Sequence, residues 1–200
     1  MNVQKAKWGV DLKLNVEEAG KGALIVDVRD ETEFKKAHLP NSINIMARGE
    51  ADKFETWLGA IVEPEEPFYL AVKSVGDIEG IMDRVVKIGY EKQMKGLLTL
   101  SGDLPESSDD LELSDFKEHP SNYTIVDIRN KSEVEAGKIF ENSIAIPLNE
   151  LRDRAGEIPT GKPLVVHCAG GYRSAAGASI LENKFDQKIY DLSEAIKEFS

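Results

Sequence analysis

Aliphatic residues in this chain come in short runs, each closed by a polar residue and a turn. Leu24-Ile25-Val26 ends at Asp27, Ile125-Val126 at Asp127, and Leu164-Val165-Val166 at His167-Cys168. Runs of this length, bounded by turn signals, read as strands buried on both faces. In the second half the pattern predicts strands over 124–128, 143–146, 164–167 and 188–192. Helical stretches lie between and around them: 111–119 with Ser114 as N-cap, 131–136 begun near Asn130 or Ser132, 148–155, 174–184 and 194–199. Strands alternating with helices imply an α/β fold, with a mostly parallel sheet covered on both faces. The order of the strands does not follow from the pattern.

The chain repeats itself. Ala23-Leu24-Ile25-Val26-Asp27-Val28-Arg29 returns as Tyr123-Thr124-Ile125-Val126-Asp127-Ile128-Arg129. Glu33-Phe34 returns as Glu133-Val134, and the segment from Ala37 to Ile45 returns, one residue longer, as the segment from Gly137 to Ile146. A period near 100 residues is too long for a solenoid and suits two related domains. The stretch around Ser101 to Asp110 is polar, acidic and poor in apolar residues. The expected organisation is therefore a domain over 1–102, an acidic linker over 103–112 and a domain over 113–200.

Cys168 is the single cysteine, placed between a strand and a helix. Ala169-Gly170-Gly171-Tyr172-Arg173-Ser174 follows it and carries the chain into an Ala-rich helical stretch. Unpaired N–H groups and the positive dipole end of that helix favour an anion there, including the thiolate, which is the nucleophilic form. Gly170 and Gly171 are expected to supply unusual backbone angles, letting N–H groups converge on that anion. Arg173 offers a forked cationic donor to an anionic substrate, or a structural ion pair that holds the loop. Ser174 is expected to cap the helix, and Tyr172 to stand on the pocket rim or in solvent. His167 is adjacent to the nucleophile, but neighbouring strand residues face opposite ways, which argues against direct pairing as a base. Asp127 and Arg129 are expected to anchor the strand end, as Asp27 and Arg29 would in the first half.

Composition narrows the function classes. A formal charge of −11 repels nucleic acid and anionic membranes, so neither is an expected partner. No apolar run approaches the roughly 20 residues needed to span a bilayer, and Met1 to Lys5 leads into no signal-peptide core. One cysteine cannot form an internal disulfide, so a cytoplasmic location is expected. No cluster of histidine, cysteine and carboxylate has metal-ligand spacing, and there is no nucleotide fingerprint, so no metal or cofactor is expected.

The Asp-Val-Arg motif with Glu33-Phe34 and His38-Leu39-Pro40-Asn41-Ser42-Ile43-Asn44, together with the loop from Cys168 to Arg173, resembles the rhodanese (sulfurtransferase) superfamily. The resemblance covers nearly the whole chain as two tandem rhodanese-like α/β/α domains, each around a mostly parallel central sheet. Aligning Tyr90 with Phe185 sets Lys73 opposite Cys168 and Ile78 opposite Arg173, so the first half resembles an inactive member and the second an active one. Lys138 stands where the first half has His38, which argues against a required imidazole there. The implied activity is sulfur transfer through a Cys168 persulfide. Its partners would be a small-molecule donor, such as thiosulfate or a low-molecular-weight persulfide, and a thiol, sulfite or cyanide acceptor. Tandem domains of this kind are also similar to the C-terminal portion of persulfide dioxygenase–rhodanese fusions, implying a fused or associated metallo-β-lactamase-type domain; the metal-binding histidine motif of such a domain is not in this chain. Two alternatives stay open: a non-catalytic interaction module, and a cysteine-dependent phosphatase or arsenate reductase. Phosphatases of related fold have a longer loop between cysteine and arginine, and no general-acid aspartate stands out here.

Overall fold

The computed structural model describes residues 23–100 and 102–199; the first 22 residues of the expected 1–102 domain, and Ser101, lie outside the described residues. The chain divides into two units, Met1–Ser107 and Ser108–Ser200. The segment expected as a linker is partly docked on the first unit. Leu104 packs against a cluster of Ile25, Ala71, Leu98 and Leu100, and Glu106 forms an antiparallel bridge with His38. An apolar side chain and open backbone groups give this otherwise polar stretch something to bury and to bond.

In the first unit the elements are β1 (Leu24–Asp27), α1 (Glu31–Lys36), β2 (Ser42–Asn44), α2 (Phe54–Ile61), β3 (Phe68–Val72), α3 (Ile78–Lys87) and β4 (Met94–Thr99). The strands pair in parallel in the order β2-β1-β3-β4. The second unit repeats the plan with α4 (Leu113–Glu118), β5 (Thr124–Asp127), α5 (Lys131–Ala136), β6 (Ile144–Ala145), α6 (Leu151–Arg154), β7 (Leu164–His167), α7 (Tyr172–Glu182) and β8 (Ile189–Asp191). Its order is β6-β5-β7-β8, again parallel. In both sheets the connections leave the first strand toward one edge and return to the other. The crevice at the carboxyl ends, between β1 and β3 or between β5 and β7, is where such sheets take ligands.

The aliphatic runs make the strands because both faces are covered. Ile25, Val26, Ile125, Val126, Leu164, Val165 and Val166 are all buried. Short polar signals set the helices. Asp30 accepts from the Thr32 N–H to start α1, and Asn130 with Glu133 forms a capping box at α5. Two expected caps differ. Ser114 lies inside α4, where Glu112 holds the N-cap position and accepts from the Ser114 hydroxyl. Ser174 lies in the first turn of α7, which begins two residues earlier than expected, at Tyr172, with Gly171 as its N-cap. The expected helix over 194–199 is a 3-10 segment, Ser193–Glu198.

Candidate active site

The hydrogen bonds at the ends of β3 and β7 fix how the two loops correspond. Ile128 N–H donates to the His167 carbonyl at 3.0 Å, and Val28 N–H donates to the Ala71 carbonyl at 3.0 Å. Asp127 pairs with His167 in register, as Asp27 does with Ala71. Val72, and not Lys73, therefore holds the strand-end position of Cys168. The expected alignment was set from the far side of the helix. The first loop is one residue longer, so the alignment slips by one at the strand.

Cys168 leaves β7 with its side chain buried. The chain turns through Ala169 and Gly170, both exposed, and Gly171 brings its N–H back to Cys168 Sγ at 3.2 Å. Gly171 does this with φ +96°, and a Cβ there would stand 3.0 Å from the backbone at Ser193 and Glu194. Only glycine fits that conformation and that approach. Gly170 differs from expectation: its φ is not in the left-handed region and a Cβ would meet open space. The thiol thus sits at the start of α7, with one loop N–H already on sulfur and the positive end of the helix beneath it. Gly177 lets α7 lie close to the sheet, since a Cβ there would come within 2.6 Å of the Ile128 side chain.

Arg173 is in the first turn of α7. Its guanidinium makes a two-pronged pair with Glu133 at 2.6 and 2.7 Å. The pair draws Glu133 from its ordinary 4.5 down to about 2. Glu133 first, and then Cys168, hold the Arg173 pKa above its usual value. Arg173 is therefore a structural ion pair that also reaches the cysteine. Ser174 is buried and its hydroxyl donates to the Gly171 carbonyl at 2.8 Å, so it braces the loop from inside. Tyr172 is half-buried at the loop's end.

Below the loop, Arg129 grips Asp127. Its backbone N–H donates to Oδ1 at 3.0 Å, Nε reaches both carboxylate oxygens at 3.0 Å, and Nη2 reaches Oδ2 at 2.7 Å. Nη2 also reaches the Gly137 carbonyl at 3.1 Å. The first unit carries the same fork, with Arg29 Nη2 on Asp27 Oδ2 at 2.7 Å and on the Ala37 carbonyl at 2.9 Å. In the second half Lys138 reaches the Glu141 carbonyl at 3.1 Å. In the first half His38 stacks on Phe34 and bonds its carbonyl at 2.9 Å. The residue missed by sequence reasoning is Glu133. Its signal was available, because Glu33 recurs as Glu133 in the repeat and each sits on a short helix facing the loop.

The corresponding loop of the first unit is closed on itself. Asp77 Oδ2 accepts from the Ser74 N–H at 3.0 Å and from its hydroxyl at 2.8 Å, and a 3-10 turn, Val75–Asp77, leads into α3. Lys73 Nζ pairs with Glu33 at 2.6 Å. The cleft at this sheet edge has a volume of about 860 Å³, and its walls include Arg48, Lys73, Asp77 and Arg84. Arg48 is held by Asp52 and Asp30, and Arg84 by Glu55.

Among the described residues, no group of three or more histidine, cysteine, aspartate or glutamate side chains could hold a metal ion, and no helix is long and apolar enough to cross a membrane.

Two parallel α/β sheets of one topology, with a cysteine loop opening the helix after the third strand of the second, define a class of tandem α/β domains with one equipped loop. The model of the rhodanese-like domain matches residues 11–94 and 112–200, and the chain belongs to that family as two tandem domains. It is 33% identical over 75 residues to the uncharacterized protein YqhL of Bacillus subtilis, a match spanning 38% of this chain and 59% of that protein. Among solved structures, a rhodanese-related protein from Thermoplasma volcanium is 34% identical over 42% of this chain and 80% of its own, with a TM-score of 0.37. The reduced CoADR-RHD of Bacillus anthracis is 30% identical over 44% of this chain and 15% of its own, with a TM-score of 0.39. The human single-domain sulfurtransferase TSTD1 is 18% identical over 48% of this chain and 100% of its own, with a TM-score of 0.37.

Proposed function

We propose that the second domain is a sulfurtransferase that carries sulfane sulfur on Cys168. The observation that carries this reading is the Gly171 N–H at 3.2 Å from Cys168 Sγ, at the start of a helix whose first turn holds Arg173. The Cys168 thiolate attacks the outer sulfur of an anionic donor such as thiosulfate. A new S–S bond forms to Cys168, the donor's S–S bond breaks, and sulfite leaves with the electron pair. A thiol, sulfite or cyanide acceptor then attacks the terminal sulfur and returns the thiolate. Two easy displacements replace one hard step. Loop N–H groups and the helix end stabilise each anion in turn.

The work is done by the thiol, the loop amides and the helix end, without metal or cofactor. The first domain carries no sulfur in this reading and serves packing or recognition, whether within this chain or toward an associated persulfide dioxygenase domain. The setting would be the cytoplasm, where a lone thiol stays reduced.

Thiocyanate release from thiosulfate and cyanide tests this. Cys168→Ser should lose it completely while keeping its unfolding midpoint. Activity retained in that variant would reject the mechanism. A wild-type thiol that is alkylated readily but turns over no sulfur donor would favour the interaction-module reading.

A further inference from the structure

The residue before the cysteine is an anomaly that sulfur transfer leaves unused. His167 is fully buried, and its counterpart at the end of β3 is Ala71, also fully buried. Around these two positions the corners are alike. Both carbonyls accept the same backbone hydrogen bond, at 3.0 Å in each case. Both neighbouring aspartates carry the same arginine fork. Neither the strand end nor the fork needs an imidazole, yet the half that keeps its cysteine has one.

The ring is bounded on each side. Nδ1 lies 3.4 Å from the Cys168 carbonyl oxygen. That oxygen only accepts, so the contact requires the tautomer with its proton on Nδ1. Nε2 is then a bare acceptor; it is buried and has no hydrogen-bond partner. The nearest carboxylate oxygen, Asp127 Oδ2, is 3.7 Å away and already takes two nitrogens of Arg129. The Phe140 ring meets the imidazole edge-on at 5.2 Å. A buried nitrogen without a partner is costly, and a site that tolerates one calls for an explanation.

We propose that His167 is a positioning residue for Cys168: its Nδ1–H holds the Cys168 carbonyl and so fixes the peptide from which the thiol loop springs. The inference rests on Cys168 being the reacting group. The peptide after Cys168 begins the short turn that returns the Gly171 N–H to sulfur. Loosening that peptide lets sulfur and amide drift apart. His167 acts from the opposite face of the strand, so it neither touches the substrate nor takes the thiol proton.

Acid should disturb this arrangement. Burial, aided by the charge of Arg129, lowers the His167 pKa and outweighs Asp127 and the Cys168 carbonyl, which both favour protonation. A second proton would sit on Nε2, facing an Asp127 Oδ2 that is 3.7 Å away and already accepts from Arg129. Because the folded pKa lies below its ordinary 6.5, the unfolded chain binds this proton first. Stability contributed by the neutral ring is complete above 6.5 and falls as pH drops from there toward the folded pKa.

The experiment is alkylation of Cys168 by iodoacetamide between pH 5 and 8 in the full chain, for wild type and for His167→Asn, His167→Gln and His167→Ala. Asn keeps a donor near Nδ1, while Gln and Ala do not. The expected result is a rate near wild type for Asn and about tenfold slower reaction for Gln and Ala, the worth of one hydrogen bond. Wild-type rate and pH profile in His167→Ala would overturn the proposal. If Ala and Gln fail to fold, nitrogen NMR of the wild-type imidazole decides: a proton on Nδ1 supports it and a proton on Nε2 refutes it. Alkylation requires no sulfur donor. A result in which these variants behave as expected while thiosulfate leaves no sulfur on Cys168 would therefore refute the transfer reading and spare this one.

Discussion

The loops after β3 and β7 begin from equivalent strand ends and each faces a glutamate on the first helix of its own unit's repeat, Glu33 or Glu133, and they part within one residue. After β7 the chain presents sulfur, then a glycine in a left-handed turn whose N–H points back at it. Glu133 is satisfied by Arg173 from the helix, which leaves the loop's centre to the thiol. After β3 a valine holds the strand end and the loop is one residue longer. Asp77 from that loop takes the Ser74 N–H, and Lys73 takes Glu33. The first loop holds a carboxylate of its own where the second turns an N–H toward the Cys168 sulfur. The difference teaches that the fold needs the glutamate and the Asp–Arg fork, which both halves keep. The cysteine, the Gly171 turn and the short loop, on which the proposed sulfur transfer rests, are kept by one half alone.

The largest expected effect separates sulfur from everything else. Cys168→Ser should cost about a thousandfold or more in sulfur transfer, with the same thermal midpoint; unchanged turnover would erase the distinction between the loops. Next comes the turn. Gly171→Ala should cost about 2 kcal/mol or more, from positive φ and backbone overlap, and most of the activity. Gly76→Ala, with ordinary φ and its nearest atom, the Ser74 hydroxyl, at 3.6 Å, should be nearly silent in urea unfolding. Equal costs would show that the two turns are the same after all.

The ion pairs give a smaller contrast. Arg173→Ala removes a partner from a largely buried fork and should cost about 1–2 kcal/mol and weaken use of anionic donors. Lys73→Ala removes an exposed pair and should leave the urea midpoint where it was. A last, smaller effect is in acid. Glu133 is held near 2 in the folded chain, so its contribution is complete above its ordinary 4.5 and disappears as pH falls toward 2. Arg173→Ala should flatten the stability curve across that window; a curve with unchanged slope there would remove Arg173 as the cause.

Much of this was legible in the sequence. The repeat gave two domains, and the aliphatic runs gave strands such as Leu164–His167 and the short helix Lys131–Ala136 at their observed bounds. Strand order was not legible, because it depends on which hydrophobic faces meet and not on local pattern. The errors cluster where one residue of loop length or one rotamer decides. Equal spacing puts Lys73 opposite Cys168, but the first loop has gained a residue and the strand register puts Val72 there. Serine favours the N-cap position, which makes Ser174 and Ser114 look like caps, yet both hydroxyls are spent on nearby acceptors. Composition does not distinguish Gly170 from Gly171, and only Gly171 takes the positive φ. Glu133 went unassigned because its partner lies 40 residues away.

The central claim, one sulfur-bearing loop and one closed loop, is tested most directly by the intact mass of the reduced chain after incubation with thiosulfate, beside Cys168→Ser. The account predicts a gain of about 32 Da, one sulfur held as a covalent intermediate, lost on adding cyanide and absent from the variant. No gain in folded, reduced protein, or a gain that survives in Cys168→Ser, would contradict it.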